Sequence, residues 1–225
     1  MSKLYKLTTQ DNKTRPGLYN ECVWGEGVSH SGTGKGDLCG PGFIHAYTNP
    51  YLAVLLNQSH ANISYPKMWE AEGDIVKSDR GLKVGCITLT TIKEIHIPII
   101  SDTQKVAFGI LCAKEIYFEP NWNTWADNWL NNIDRSPDSA YSARIAARSA
   151  SYGASYGAQS AAVSASYGAQ SAVVSAFYSG AVSAAVSAAD SAADSAADSA
   201  ADSASYSGAV SALDFEKIIS LMQSY

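Results

Sequence analysis

Basic residues are missing from a long stretch of this chain. Between Ser149 and Ala212 the sequence has no lysine or arginine, and it also lacks tryptophan, cysteine and histidine. The charge of that stretch comes from aspartates at positions 190, 194, 198 and 202, and the whole chain carries a formal net charge of -5. Because binding to nucleic acids or anionic membranes depends on clustered basic side chains, we expect neither partner.

Long apolar runs and closely spaced cysteines are absent as well. No segment offers the roughly 18 uninterrupted apolar residues of a membrane span, and the opening MSKLYKLTT lacks the apolar core of a signal peptide. A cytoplasmic protein is therefore expected. The four cysteines are far apart and fit no metal-ligand spacing, so we expect reduced thiols and neither a metal nor a cofactor.

The composition changes near residue 140, where an ordinary globular sequence gives way to alanine, serine, glycine, tyrosine and valine. This break predicts a globular α+β domain at 1–135 and a linker with a helix start at 136–148. It also predicts a repetitive helical segment at 149–212 and an amphipathic helix at 213–225. The first part is long enough to bury a core of its own.

Alternation of apolar and polar residues predicts strands at 4–7, 42–47, 68–76 and 83–91, with β-like sequence continuing from 92 to 100. Pro50 after Asn49 is a helix-start signal, and it predicts a helix from Tyr51 to about Asn57. Apolar residues at spacings of three and four predict a second helix at 103–117. The fold class is thus α+β, with a small mixed or antiparallel sheet and packed helices.

The polar, glycine-rich stretch at 9–41 is predicted to be a long loop, and such loops often carry function. Within it, Gly32 to Asp37 resembles a phosphate-binding loop. Gly36 follows Lys35, however, where that motif has serine or threonine, and this favours a plain turn.

Three tryptophans, Trp122, Trp125 and Trp129, share one face of a predicted helix. An aromatic stripe of this kind is typical of a buried face, and a partner-docking surface is the alternative.

Several motifs of the first hundred residues resemble those of an uncharacterised domain family of bacteriophage and bacterial proteins, DUF7666. They are the strand Gly42 to Ala46, the Asn49-Pro50 helix start, the strand Trp69 to Gly73, and the run Leu89 to Ile95. The resemblance covers roughly residues 4–100. It implies a strand, a short helix and a second strand in that order, and a phage origin, but no established activity.

A more distant likeness is to the ADP-ribosyltransferase scaffold. Glu70-Ala71-Glu72 resembles the paired glutamates of that superfamily, in which one carboxylate stabilises an oxocarbenium ion and the other orients the nucleophile. The likeness implies that Trp24, His45 and Tyr47 line an NAD cleft beside Glu70 and Glu72. The alternative is a structural role for two glutamates on an exposed strand face.

The stretch after residue 149 contains an 11-residue sequence, SYGAQSAAVSA, that recurs with one change at 166–176. A repeat of this length keeps its tyrosines and glycines on fixed stripes of an α-helix, and small residues let helices approach closely. We therefore expect self-association through these helices, with an unfolded low-complexity segment as the alternative. The final apolar residues, Phe215, Ile218, Ile219 and Met222, are predicted to dock on a bundle or on the globular domain.

These observations lead to three functional hypotheses. The first is a non-enzymatic phage accessory protein whose head binds a ligand or host partner and whose helical segment forms a homo-oligomer. The second is an enzyme of the ADP-ribosyltransferase type acting on NAD, and the third is a protein that sequesters a nucleotide signal. No catalytic residue is assigned. The candidate ligand-binding residues are Trp24, His45, Tyr47, Glu70 and Glu72.

Overall fold

The computed structural model divides the chain into two compact units, Met1–Ile99 and Ile100–Tyr225. The described residues are 2–79, 81, 83–115, 118–148 and 214–225. The repetitive segment predicted to be helical at 149–212 lies outside the described residues. In the described ranges, no helix is long and apolar enough to span a lipid bilayer.

The first unit is built mainly from strands, with two short helices between the fifth and sixth. The α+β class with an antiparallel sheet, as predicted from the sequence, is confirmed. The elements in chain order are β1 (Ser2–Thr8), β2 (Lys13–Thr14), β3 (Cys22–Val23), β4 (Ser29–Ser31), β5 (Ile44–Ala46), α1 (Pro50–Leu55), α2 (Asn57–His60), β6 (Lys67–Asp79) and β7 (Lys83–Ile95).

Strands β6 and β7 form a long antiparallel hairpin at the centre of the sheet. β1 pairs with the outer edge of β6, while β4 and β5 pair with different stretches of β7. β2 and β3 form a separate two-stranded sheet. The β6–β7 register shifts between Glu70 and Ala71 and again on both sides of Ile75, and such irregularities bend and twist a hairpin.

The sheet also returns to its first strand. Tyr47, directly after β5, exchanges two backbone hydrogen bonds with Tyr5 of β1: Tyr5 N donates to Tyr47 O at 2.8 Å, and Tyr47 N donates to Tyr5 O at 2.9 Å. β1 is therefore held by β6 on one edge and by Tyr47 on the other. This double pairing brings the start of the chain against the residues that follow β5.

Side-chain alternation determines which strand residues enter the core of this unit. Because successive side chains of a strand point to opposite faces, Leu4 and its cross-strand partner Ala71 lie on the same face. Both are fully buried. The core cluster on this face comprises Leu4, Trp24, Ala46, Ala71, Val84, Cys86 and Leu89.

Most predicted strands of this unit are confirmed, and two predictions are wrong. The stretch at 9–41 is not one long loop, because it contains β2, β3 and β4. These strands are two or three residues long, too short for a periodic pattern; β2 and β3 pair with each other, and β4 pairs with the distant β7. Residues 96–100 are not strand, since β7 ends at Ile95.

The Gly32 to Asp37 segment packs against backbone and bends at Gly34 and Gly36, whereas the turn itself follows at Leu38 and Cys39. Gly34 N donates to Gly42 O at 2.8 Å, and Gly34 has a φ of 70°, in the left-handed region that glycine adopts readily. A Cβ on Gly32 would collide with the Gly42 carbonyl. The glycines are thus explained by close packing between two stretches of backbone.

The second unit is helical in its described part. The first of its helices begins at a capping box in which Ser101 Oγ accepts from Gln104 N at 3.1 Å and Gln104 Oε1 accepts from Ser101 N at 3.0 Å. The residues from Val106 to Ala113 are all buried, so this helix is covered on every side there. The helices are α3 (Asp102–Lys114), α4 (Pro120–Leu130), α5 (Pro137–Arg148) and α6 (Phe215–Met222).

The predicted burial of the tryptophan stripe is confirmed. Trp122, Trp125 and Trp129 are 0%, 8% and 4% exposed on α4. The carboxylate of Glu119 caps this helix by accepting from Trp122 N at 2.6 Å, and Pro120 follows at the first helical position.

Helix α6 packs on α3 through the apolar face that its sequence predicts. Phe215, Ile218, Ile219 and Met222 are its buried residues. The Phe215 ring lies 6.3 Å from the Phe108 ring, measured between centroids, and Phe108 is fully buried. Docking of the last helix on a globular unit is therefore confirmed for α6.

Candidate functional site

Two neighbouring cavities open in the first unit, between β1, the β2–β3 sheet and the residues around β5. The smaller has a volume of about 240 Å³ and the larger about 670 Å³. A volume of several hundred Å³ is within the range of small-molecule sites. The side chains that line both cavities are Lys6, Thr14, Arg15 and His45.

Lys6 enters this region because of its place on β1. It lies two residues from Leu4, so the two side chains share the core face, and its cross-strand partner is Trp69. Lys6 is half-buried, and its Nζ donates to the backbone carbonyl of His45 at 2.6 Å. The ammonium also lies 5.3 Å from the centroid of the Trp24 ring, a cation–π contact.

The charge of Lys6 is poorly compensated. Its acceptor is a neutral carbonyl, and it makes no ion pair with a carboxylate in the described part of the chain. Burial, which disfavours the charged form, lowers the pKa of Lys6 from 10.5 to about 8, and the nearby Arg15 charge acts in the same direction. A lysine of this kind in a cleft is typical of functional sites.

Arg15 brings a second cation to both cavities. It follows β2 with a φ of 54°, which is uncommon for a residue other than glycine, and its side chain is half-buried. The loop that carries it is closed at its base by Glu21, whose carboxylate accepts from Gly17 N at 2.7 Å and pairs with Lys13 at 2.7 Å. The Arg15 guanidinium has no hydrogen bond or ion pair with any described residue.

His45 and Tyr47 occupy the wall of the larger cavity. His45 Nε2 hydrogen-bonds to the carbonyl of Leu38, and burial together with neighbouring cations lowers the pKa of His45. It is therefore neutral at pH 7 and donates from Nε2. Tyr47 Oη lies 3.2 Å from His60 Nδ1, and the two rings are stacked with centroids 6.0 Å apart.

The smaller cavity contains an unsatisfied acceptor. Asn20 Oδ1 is buried and has no hydrogen-bond partner among the described residues, and Asn20 lines this cavity. Buried polar atoms nearly always have a partner, so an acceptor without one in a cavity wall points to water or a ligand as the donor.

The five residues predicted to bind a ligand do not meet in one place. Trp24 and His45 line the smaller cavity, and His45 and Tyr47 line the larger. Glu70 and Glu72 line neither. Their cross-strand partners are Tyr5 and Lys3, which lie on the face of β1 opposite to Leu4 and Lys6.

Glu70 has partners on that other face. Its carboxylate lies 3.1 Å from Lys3 Nζ and 3.9 Å from Lys93 Nζ. These contacts fit the structural alternative for the glutamate pair, in which exposed cross-strand charges contribute only weakly to the stability of the sheet.

The larger cavity is positively charged at its wall, although the whole chain is acidic. Lys6, Arg15 and Lys83 line it, and no aspartate or glutamate does so among the described residues. Apolar groups, including Leu7 and Ile63, complete the lining. Such a wall suits a small molecule that carries a negative charge and a modest apolar body.

Comparison with protein-family models, with curated proteins and with solved structures finds no match to this chain. The resemblances to DUF7666 and to the ADP-ribosyltransferase scaffold therefore stay predictions. In the parts that the structure describes, no group of three or more histidine, cysteine or carboxylate side chains is placed to hold a metal ion.

The two cations of the site were not among the residues predicted from the sequence. For Lys6 a signal exists, because the alternation from Leu4 puts it on the buried face of an otherwise ordinary strand. For Arg15 there is none, since its position depends on a two-residue strand inside an apparent loop.

Proposed function

We propose that the first unit binds a small organic anion in the cavities around Lys6 and Arg15, without the need for turnover. The first functional hypothesis includes a ligand-binding head, and this proposal assigns a chemical class to its ligand. The class is a molecule with a carboxylate or phosphate group and a compact apolar body.

One observation carries this proposal: two half-buried cations line the same two cavities, and neither pairs with a carboxylate of any residue that the structure describes. A desolvated ammonium is costly, and an anion would restore the interaction that the fold does not supply. The unsatisfied Asn20 Oδ1 adds a place for a ligand hydroxyl or amine.

Binding is favoured over ADP-ribosyl transfer at this site. Transfer requires an available carboxylate beside the bound nucleotide. Glu70 and Glu72 lie on the opposite face of β1 and β6, and Glu21, which lines the smaller cavity, is paired with Lys13. Base stacking also has little support, because Trp24 is 2% exposed and Tyr47 is 6% exposed. The nucleotide-sequestering hypothesis is therefore tested in the same binding experiment.

The test is isothermal titration calorimetry of the full chain with inorganic phosphate, succinate, adenosine and adenosine monophosphate. We expect the anions to bind and adenosine to show no binding. Lys6→Met and Arg15→Gln should each weaken binding by about tenfold or more, because each removes a charge-assisted contact worth roughly 1.5–3 kcal/mol.

Lys3→Met is the matched control. It removes the same charge from the same strand but from the opposite face, where Lys3 pairs with Glu70. Its anion affinity should equal that of the natural chain. The proposal is wrong if no anion binds, or if the Lys3 and Lys6 variants lose affinity equally. Tighter binding of adenosine monophosphate than of either simple anion would favour the nucleotide-sequestering hypothesis.

Self-association through residues 149–212 remains the second part of the proposal. Its support is the 11-residue repeat and its small residues, which suit close helix pairing. A phage origin is supported by the family resemblance of the first hundred residues.

A further inference from the structure

We propose that Lys6 forms a reversible imine with a small anionic aldehyde or ketone held in these cavities, an inference that rests on the proposed anion-binding function. It goes beyond binding because it assigns a covalent step and a carbonyl group to the ligand. Lys6 is then the reacting residue, and Arg15 is the anchor for the ligand's negative charge.

Geometry places the amine where a ligand can reach it. Lys6 lines both cavities, and its Nζ has one hydrogen bond, to His45 O at 2.6 Å, within the described residues. The Trp24 ring at 5.3 Å shields the amine from water on one side. In the described part of the chain, no carboxylate forms an ion pair with this nitrogen.

Arg15 lines the same two cavities, and its guanidinium has no hydrogen-bond or ion-pair partner among the residues of known placement. A guanidinium binds carboxylate or phosphate through two parallel hydrogen bonds, which fixes the orientation of the bound group. A molecule with an anionic group at one end and a carbonyl at the other could thus contact Arg15 and Lys6 together.

The chemistry requires a neutral amine, and burial lowers the pKa of Lys6 to about 8. Near pH 7 about a tenth of Lys6 is then neutral, whereas an ordinary lysine is almost fully protonated. The neutral nitrogen adds its lone pair to the carbonyl carbon, and the carbonyl oxygen takes up a proton. Loss of water from this carbinolamine gives the iminium ion, and no oxidant or reductant is consumed.

Groups that can exchange protons line the same space. Tyr47 and His60, joined through Oη and Nδ1 at 3.2 Å, both line the larger cavity with Lys6. Loss of water from the carbinolamine needs a proton donor, and hydrolysis of the imine needs an acceptor. The pair can serve in either direction, which fits a reversible adduct.

The test is reductive trapping in the full chain. Glyoxylate, a small anionic aldehyde, is added at pH 7 with cyanoborohydride, which reduces any imine to carboxymethyl-lysine. Peptide mass mapping then gives the labelling rate at each lysine. We expect Lys6 to be labelled at least about tenfold faster than the exposed Lys3, because burial lowers the pKa of Lys6 while pairing with Glu70 raises the pKa of Lys3.

Two comparisons distinguish the role of Arg15 as the anchor from the role of Lys6 as the reacting amine. Acetaldehyde, which carries no charge, should label Lys6 with a smaller preference over Lys3. Arg15→Gln should slow the glyoxylate reaction at Lys6 and leave the acetaldehyde reaction unchanged. An unchanged glyoxylate rate in this variant would overturn the role of Arg15.

Failure of the covalent step is distinguishable from failure of anion binding. If phosphate binds in calorimetry but Lys6 is labelled no faster than Lys3, the imine is wrong and the binding function stands. If phosphate does not bind and Lys6 shows no preference, both proposals are overturned. Protection of Lys6 alone by added phosphate would support both.

Discussion

Lys6 lowers the stability of the fold at neutral pH, because its charge is buried. Its pKa of about 8 in the folded chain is below the ordinary 10.5, so the unfolded chain holds more protons between these two pH values. Stability therefore rises with pH across that window, and the cost of the buried charge is fully present below pH 8. A buried charge without a partner is common where function requires it.

Replacing this lysine by methionine should stabilise the protein. We expect Lys6→Met to raise the free energy of unfolding at pH 7 by on the order of 1–3 kcal/mol, because it removes a desolvated charge and keeps the apolar stem. The gain should shrink from pH 8 upward and vanish above pH 10.5. Urea unfolding of both chains at several pH values measures it.

Lys3→Met serves as the control for that experiment. Its pairing with Glu70 raises the pKa of Lys3, so removal of the ammonium should give no stabilisation at pH 7. Equal stabilisation by the two substitutions would mean that Lys6 is an ordinary surface lysine, and the account of its burial would be wrong.

Cys39 offers a probe of the charge at the cavity wall. It is an exposed thiol that lines the larger cavity, whereas Cys86 and Cys112 are buried and burial raises their pKa, that of Cys86 to about 11. Negatively charged methanethiosulfonate should modify Cys39 about tenfold faster than the positively charged reagent, relative to a free thiol, because the wall attracts anions.

Added salt and Arg15→Gln should both reduce that preference, since each weakens the positive field. Mass mapping identifies the modified cysteine, and Cys112 provides a thiol that should stay unmodified. A rate ratio near one at Cys39 would contradict the electrostatic description of the cavity.

The sequence could predict part of this site because strand alternation is local. The pattern around β5 identified His45 and Tyr47, which line the cavity, and Trp24 was found among the glycines before it. Glu70 and Glu72 match a paired-glutamate motif, and a motif within a strand does not determine which face meets the cavity. That face depends on the pairing of β1 with β6, which is a long-range property.

Helices and the central hairpin were the elements that local sequence predicted best. β6, β7, α3 and α4 have long periodic patterns, and α3 and α4 also have capping side chains. The short strands have no periodic signal, because β2, β3 and β4 contain only two or three residues each. β2 pairs with β3, and β4 pairs with the distant β7.

Helix α6 should stabilise the second unit through Phe215. This side chain is 5% exposed and packs near Phe108 of α3, so Phe215→Ala should destabilise the unit by about 3 kcal/mol. Hydrogen exchange of the α3 amides measures the effect locally. Leu221→Ala is the control, because Leu221 is 42% exposed on the same helix and should cost less than about 0.5 kcal/mol.

Equal effects of the two alanines on α3 exchange would contradict the packing of α6 on α3. A Phe215 variant with unchanged exchange would mean that the last helix contributes nothing to the unit.

At the scale of the whole molecule, the boundary between the two units falls after Ile99, whereas the composition changes near residue 140. The compositional division depends on which residue types the chain uses, and the division into units depends on which elements pack together. The two divisions therefore need not agree. Helices α5 and α6 belong to the same unit although residues 149–213 separate them in sequence. A truncation after α5 would therefore remove α6 as well as the repeats.

Self-association is best tested with α6 kept in place. Residues 149–212 are replaced by a glycine-serine linker of equal length, and the variant and the full chain are compared by size-exclusion chromatography with light scattering. We expect the full chain to be oligomeric and the variant monomeric, because the small-residue repeats provide the helix contacts. A monomeric full chain would contradict this part of the proposal.

The measurement that tests the central claim most directly is an NMR titration of the lysine side chains in the full chain, with and without inorganic phosphate. The account predicts one lysine, lost in Lys6→Met, that titrates near pH 8 and moves to higher pH when phosphate binds, because the anion stabilises the ammonium. If every lysine titrates near 10.5 and none responds to phosphate, Lys6 is not a buried cation facing an anion site.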